Sequence, residues 1–176
     1  MKIKTDFVTN SSSSSFIVVF PERVKSLNQV ERFISQGYSN TILRDIKNQQ
    51  ALNVKRNREK IKKLLIKELC DGSLMGNYIV PEKVEYSDFQ NKFCKREGIS
   101  TKELYDNKQW YHLFRDEFNR EQTRWATDAA NKFLETLEEN CYVYYFHYGD
   151  EGGGLYAQME HGDIFRKLPN IRISHH

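Results

Sequence analysis

Long apolar runs are missing from this 176-residue chain. The longest run free of polar side chains, Phe16-Ile17-Val18-Val19-Phe20, stops at Pro21. A helix needs roughly 20 such residues to cross a bilayer, so no membrane partner is expected. Asp6, Asn10 and five serines stand where the apolar segment of a secretory leader belongs, and none is expected. Cysteine is scarce: Cys70, Cys94 and Cys141 are odd in number and far apart, and no C-x-x-C pair occurs. That excludes a zinc ribbon or a thioredoxin-type site and fits free thiols in a reducing, cytoplasmic setting. No low-complexity linker divides the chain and no internal repeat is present, so residues 1–176 read as one domain with a polar segment over 1–15.

What the chain does have is aromatic and charged. Ten tyrosines, 11 phenylalanines and 2 tryptophans argue for a packed core despite a mean hydropathy of −0.73. The net charge of +3 conceals a local excess. Residues 51–70 hold seven basic groups against Glu59 and Glu68, whereas residues 71–140 hold more acids than bases. The composition is therefore not that of a general polyanion binder.

Phe16–Phe20 predicts a central strand, since it is apolar at every position. Ser26 with Gln29, Ser87 with Gln90, and Ser100 with Glu103 carry the spacing of a capping box and open helices. Asn57 is positioned to cap a basic helix with Ile61, Leu64, Leu65 and Leu69 on one face, and a short helix is weakly marked around 41–48. Between 108 and 139, Trp110, Phe114, Phe118, Trp125, Ala129, Phe133 and Leu137 recur at helical spacing, with a polar interval at 119–124 as the expected break. Tyr142–Tyr148 is strand-like, and the glycines 152–154 invite a turn that returns Leu155–Glu160 as its hairpin partner. Residues 77–86 are expected to add an edge strand, and 171–174 a last one. The sum is an α+β fold: a small, mainly antiparallel sheet with a C-terminal β-hairpin, packed against several helices.

Four residues near the C-terminus are candidates for acid–base or metal chemistry: His147, Glu160, His161 and Asp163. In the hairpin register that pairs Tyr148 with Leu155, His147 and His161 face opposite sides, roughly 17 Å apart at the strand rise. One ion cannot bridge them. Two smaller clusters survive, His147 with Glu160, and His161 with Asp163 and a terminal histidine. No catalytic residue, metal or cofactor is assigned, because a solvated sheet face explains the same residues more simply. The triple glycine lacks the spacing of a phosphate-binding loop and follows two acids, so it reads as a turn. The serines Ser11, Ser12, Ser13, Ser14 and Ser15 offer hydroxyls to a ligand or to the backbone, but no G-x-S-x-G elbow makes any of them a nucleophile. Lys60, Lys63 and Lys67 share an outward arc that would suit phosphate contacts, or simply a solvated helix face.

The opening Asp6-Phe7-Val8-Thr9-Asn10-Ser11-Ser12-Ser13-Ser14-Ser15-Phe16 resembles the start of uncharacterised bacterial and phage proteins that share this string ahead of different bodies. The stretches Glu160–Phe165 and Leu168–Ser174 are also similar to some of them. The resemblance implies a bacterial or phage context and a serine tract with a purpose; it carries no activity. The expected function is a binding or interaction module without catalysis, with a protein or small-molecule partner. The alternatives are a hydrolase, metal-assisted or not, using the C-terminal His/acid cluster, and a nonspecific nucleic-acid binder through the basic helix at 57–70.

Overall fold

The computed structural model describes residues 13–75, 83–149 and 154–175. Five strands form one antiparallel sheet: β1 (Ser13–Phe20), β2 (Leu52–Asn53), β3 (Ser73–Met75), β4 (Tyr142–Gly149) and β5 (Asn170–Ser174), in the order β2-β4-β1-β5-β3. The apolar run of β1 occupies the centre, paired with β4 on one edge and β5 on the other. Its side chains alternate between two cores, as the pleat requires. Ile17 and Val19 meet α3 (Val54–Asp71) and the C-terminal half of α6 (Lys108–Glu135), where Ile61, Leu65, Leu69, Trp125, Ala129 and Phe133 are buried. Phe16, Val18 and Phe20 meet α1 (Leu27–Glu31), α2 (Gln36–Lys47) and α7 (Gly154–His161) on the other side, with Tyr144, Phe146, Met159 and Phe165. Each such side chain contributes about 1.5–3 kcal/mol by leaving water.

A third cluster lies apart. Helices α4 (Tyr86–Glu97) and α5 (Thr101–Asp106) pack on each other and on the N-terminal half of α6, enclosing Phe93, Cys94, Leu104 and Phe114. At 1.5 Å per residue α6 is roughly 42 Å long, so one rod serves both the sheet layer and this helical arm. The polar interval at 119–124 does not interrupt it: the interval lies where α6 passes from one core to the other, and Phe118 and Trp125 on its two sides are both buried.

Several expectations change at the boundaries. Glu103 and Ser100 do form the reciprocal cap of α5, with Ser100 N–H donating to Glu103 Oε2 at 2.7 Å and Glu103 N–H to Ser100 Oγ at 3.2 Å. Gln29 likewise accepts from Ser26 N–H at 3.0 Å. At α4, however, Gln90 does not return to the helix start but donates to Tyr105 Oη at 2.8 Å, and the helix begins two residues earlier, with Glu85 rather than Ser87 at the cap position. Asn53, not Asn57, caps α3 by accepting from Arg56 N–H at 3.2 Å. The helix at 41–48 is longer than expected; of the expected edge strand at 77–86, residues 77–82 lie outside the described residues, 83–85 form no strand and Tyr86 opens α4, with β3 at 73–75 taking the edge.

The C-terminal β-hairpin is the main correction. Residues 154–161 form α7, and β4 is held from both sides by β1 and β2. The apolar alternation Leu155, Ala157, Met159 misled because Tyr156 and Met159, three apart, also share a helix face, and it is that face which packs against Tyr144, Phe146 and Tyr148.

Candidate functional site

The serine tract enters the sheet through β1, and the register decides where each hydroxyl goes. Ser15 lies opposite His147 on β4 and Ile173 on β5 and points to the α3 side. There its Oγ is within 3.1 Å of His147 Nδ1, 2.9 Å of His175 Nε2 and 3.0 Å of Tyr145 Oη. Tyr145 Oη donates onward to Glu68 Oε2 at 3.2 Å, and His175 Nε2 is 3.5 Å from the same carboxylate oxygen. Glu68 reaches this point because it stands on the inward face of α3, three residues after Leu65 and seven after Ile61.

The protons of this network can be counted. Tyr145 gives its hydrogen to Glu68, so the hydrogen in its contact with Ser15 comes from Ser15. The serine oxygen then accepts from both imidazoles, His147 through Nδ1–H and His175 through Nε2–H. That assignment follows from satisfying every contact at once. It leaves His147, which is exposed, with Nε2 free to accept. Burial pushes the Tyr145 phenol above its ordinary pKa; the Ser15 hydrogen bond opposes this and Glu68 adds to it.

The arrangement has the residue types of a serine hydrolase without the layout. Ser15 is 0% exposed, so no substrate reaches its oxygen. Glu68 meets the same nitrogen of His175 that meets Ser15, whereas a relay needs the acid on the opposite ring nitrogen. Gly72 closes the other side: a Cβ there would lie 2.3 Å from Ile173 Cγ2 and 3.0 Å from His175 Nδ1.

Of the sequence candidates, His147 and Ser15 are brought together, and His147 and Glu160 are not. Glu160 is buried on α7, on the other side of the sheet. Asp163 is exposed in the turn after α7. The side chain of His161 lies outside what is described, as do Ser11, Ser12 and His176. Ser13 is half-buried at the start of β1, and Ser14 points opposite to Ser15. Among the described residues no group of three or more His, Cys, Asp or Glu is arranged to hold a metal ion, and no helix is long and apolar enough to cross a membrane. Lys60, Lys63 and Lys67 are exposed along α3; Lys60 Nζ donates to Gln50 Oε1 at 2.7 Å.

Sequence reasoning missed Glu68, Tyr145 and the part played by His175. An acid on the apolar stripe of α3 was the available signal for Glu68. His175 needed the knowledge that β5 returns beside β1 rather than beside a hairpin.

A second surface lies on the arm. Tyr86 and Tyr105 are 41% and 50% exposed, yet their hydroxyls are 3.1 Å apart and Gln90 ties them to α4. The Tyr111 ring lies 5.8 Å from Tyr105, and the Arg115 guanidinium stands 5.8 Å over Tyr111. Tyr86 also sets its ring edge against Phe114 and Phe118, at 5.3 and 5.1 Å. Burial and the neighbouring tyrosines push its phenol up to about 12. The result is a fixed aromatic surface beside an exposed cation. Compared with models of known protein families, with curated proteins and with solved structures, the chain matches none.

Proposed function

We propose that the protein is a binding module that engages a protein partner through the tyrosine face of its helical arm, without chemistry at Ser15. The observation that carries this is the exposure of Tyr86 and Tyr105 in a surface already ordered by hydroxyl contacts and by the ring packing beneath. Large side chains with two torsions, held before binding, give contact area at little ordering cost. Tyrosine and arginine are also the residues in which interface energy concentrates. The burial of Ser15 supports the non-catalytic half of the reading.

The test is in two steps. Crosslinking in the cells that make the protein identifies a partner, which is then purified and titrated against the full chain. Wild type is expected to bind, and Tyr105→Ala together with Tyr86→Ala to weaken binding at least about tenfold. A partner that binds the double variant as tightly as wild type, or crosslinks confined to the sheet, would overturn the proposal.

A further inference from the structure

Two chain connections and the end of α2 meet at a buried tyrosine. One connection runs from β1 to α1 through residues 21–26, the other from α2 to β2 through residues 48–51. With Tyr144 of β4 they line an open cleft of about 380 Å³, a size within the roughly 300–1,000 Å³ of small-molecule sites. Tyr144 is 1% exposed, its ring fixed edge-on to Phe20 at 5.6 Å. Its hydroxyl is only half used. The oxygen accepts from Val24 N–H at 3.1 Å, and the hydrogen has no acceptor among the described residues. Burial raises the pKa of this phenol against the opposing pull of the Arg23 charge, so the hydrogen stays in place as a donor at neutral pH. A buried donor of this kind calls for a partner.

The charge around the cleft has one sign. Arg23, Lys25 and Lys47 line it, all three exposed, and none forms an ion pair among the described residues. No acid lines it. The acids next in sequence are engaged elsewhere, Glu22 by Arg32 and Gln29, and Asp45 by Arg44 and Tyr148. Water alone can accept the phenol hydrogen, but it does not answer three cations. A doubly charged oxyanion does both, because its oxygens accept charge-assisted hydrogen bonds and a cleft lined by one sign concentrates the opposite one. Val24, Ile46 and Ala51 complete the lining with apolar surface, which a bare inorganic ion would leave unused.

We infer that this cleft binds a small phosphate monoester, its phosphoryl group held by Arg23, Lys25, Lys47 and the Tyr144 hydroxyl and its organic group laid against Val24, Ile46 and Ala51. The cleft shares no residue with the tyrosine face and stands or falls without it. Phenyl phosphate titrated into the full chain at constant ionic strength is the probe. Inorganic phosphate, which lacks the organic group, and benzoate, which carries one charge, are the comparisons. Wild type is expected to bind phenyl phosphate saturably, at least about tenfold more tightly than either comparison, with the amide resonances of Val24 and Ala51 shifted. Arg23→Gln combined with Lys47→Gln changes only exposed side chains, so the free protein should melt as wild type does while its affinity falls at least about tenfold. Tyr144→Phe keeps the ring and should weaken binding about tenfold. Because it also strands Val24 N–H, the exposed double variant decides the matter if Tyr144→Phe does not fold. Absence of saturable binding, equal affinity for inorganic phosphate or benzoate, shifts confined to the lysines of α3, or unchanged affinity in the double variant would overturn the assignment.

Discussion

Ser15 shows how one hydroxyl can organise a neighbourhood. It is a donor to Tyr145 and an acceptor from His147 and His175, so three side chains, two from β4 and one from the residue after β5, share one oxygen. Removing it leaves Tyr145 Oη and two imidazole nitrogens without that partner. A buried group left unsatisfied costs about 1–3 kcal/mol. Ser15→Ala should therefore unfold at lower denaturant concentration with an unchanged slope, a loss of that size, while Ser13→Ala at the half-buried strand start should be nearly silent. Equal effects of the two would show that the network carries no special stability.

Among the elements, the joint between α3 and β3 is the tightest. Gly72 follows α3 directly, with φ −139° and ψ −176°, an extended backbone open to any residue. Space is what demands glycine there, since an added Cβ would stand 2.3 Å from Ile173 Cγ2 and 2.7 Å from Ser174 O. Gly72→Ala must push β5 away from α3 and is expected to cost about 1–3 kcal/mol, with the His175 ring resonances displaced in an NMR spectrum. Gly98 is the contrasting case: its φ of 67° is left-handed and nothing lies within 4 Å, so alanine there is penalised by backbone alone. The legible elements were those whose pattern answers to a single demand. The all-apolar β1 announced a strand covered on both faces, and the stripe from Trp110 to Phe133 announced α6. Residues 155–160 carried both an alternating and a three-residue spacing, and only the pairing of β4 with β1 chose between them. Likewise the Ser15 network was invisible locally, because its members come from β1, α3, β4 and the residue after β5.

In the whole molecule, tyrosines with raised pKa values are spread over both sheet faces and the arm. Burial raises Tyr144, Tyr145 and Tyr148, and it raises Tyr86 to about 12. The sign follows from linkage. An unfolded tyrosine loses its proton near about 10, whereas these four hold theirs in the folded state. Below that pH they contribute nothing to the pH dependence; above it the unfolded chain binds fewer protons and stability falls as pH rises. Alkaline titration should thus show these phenols ionising together, in step with the loss of circular dichroism. Smooth ionisation near the ordinary value with the fold intact would contradict it.

The central position of β1 also bears on how its gene can vary. Ser14 and Ser15 serve opposite faces, and both are drawn from a run of five identical residues immediately before Phe16. Losing or gaining one serine codon in that repeat leaves two serines in the places next to Phe16. The geometry from Phe16 onward is thereby indifferent to the exact length of the serine run.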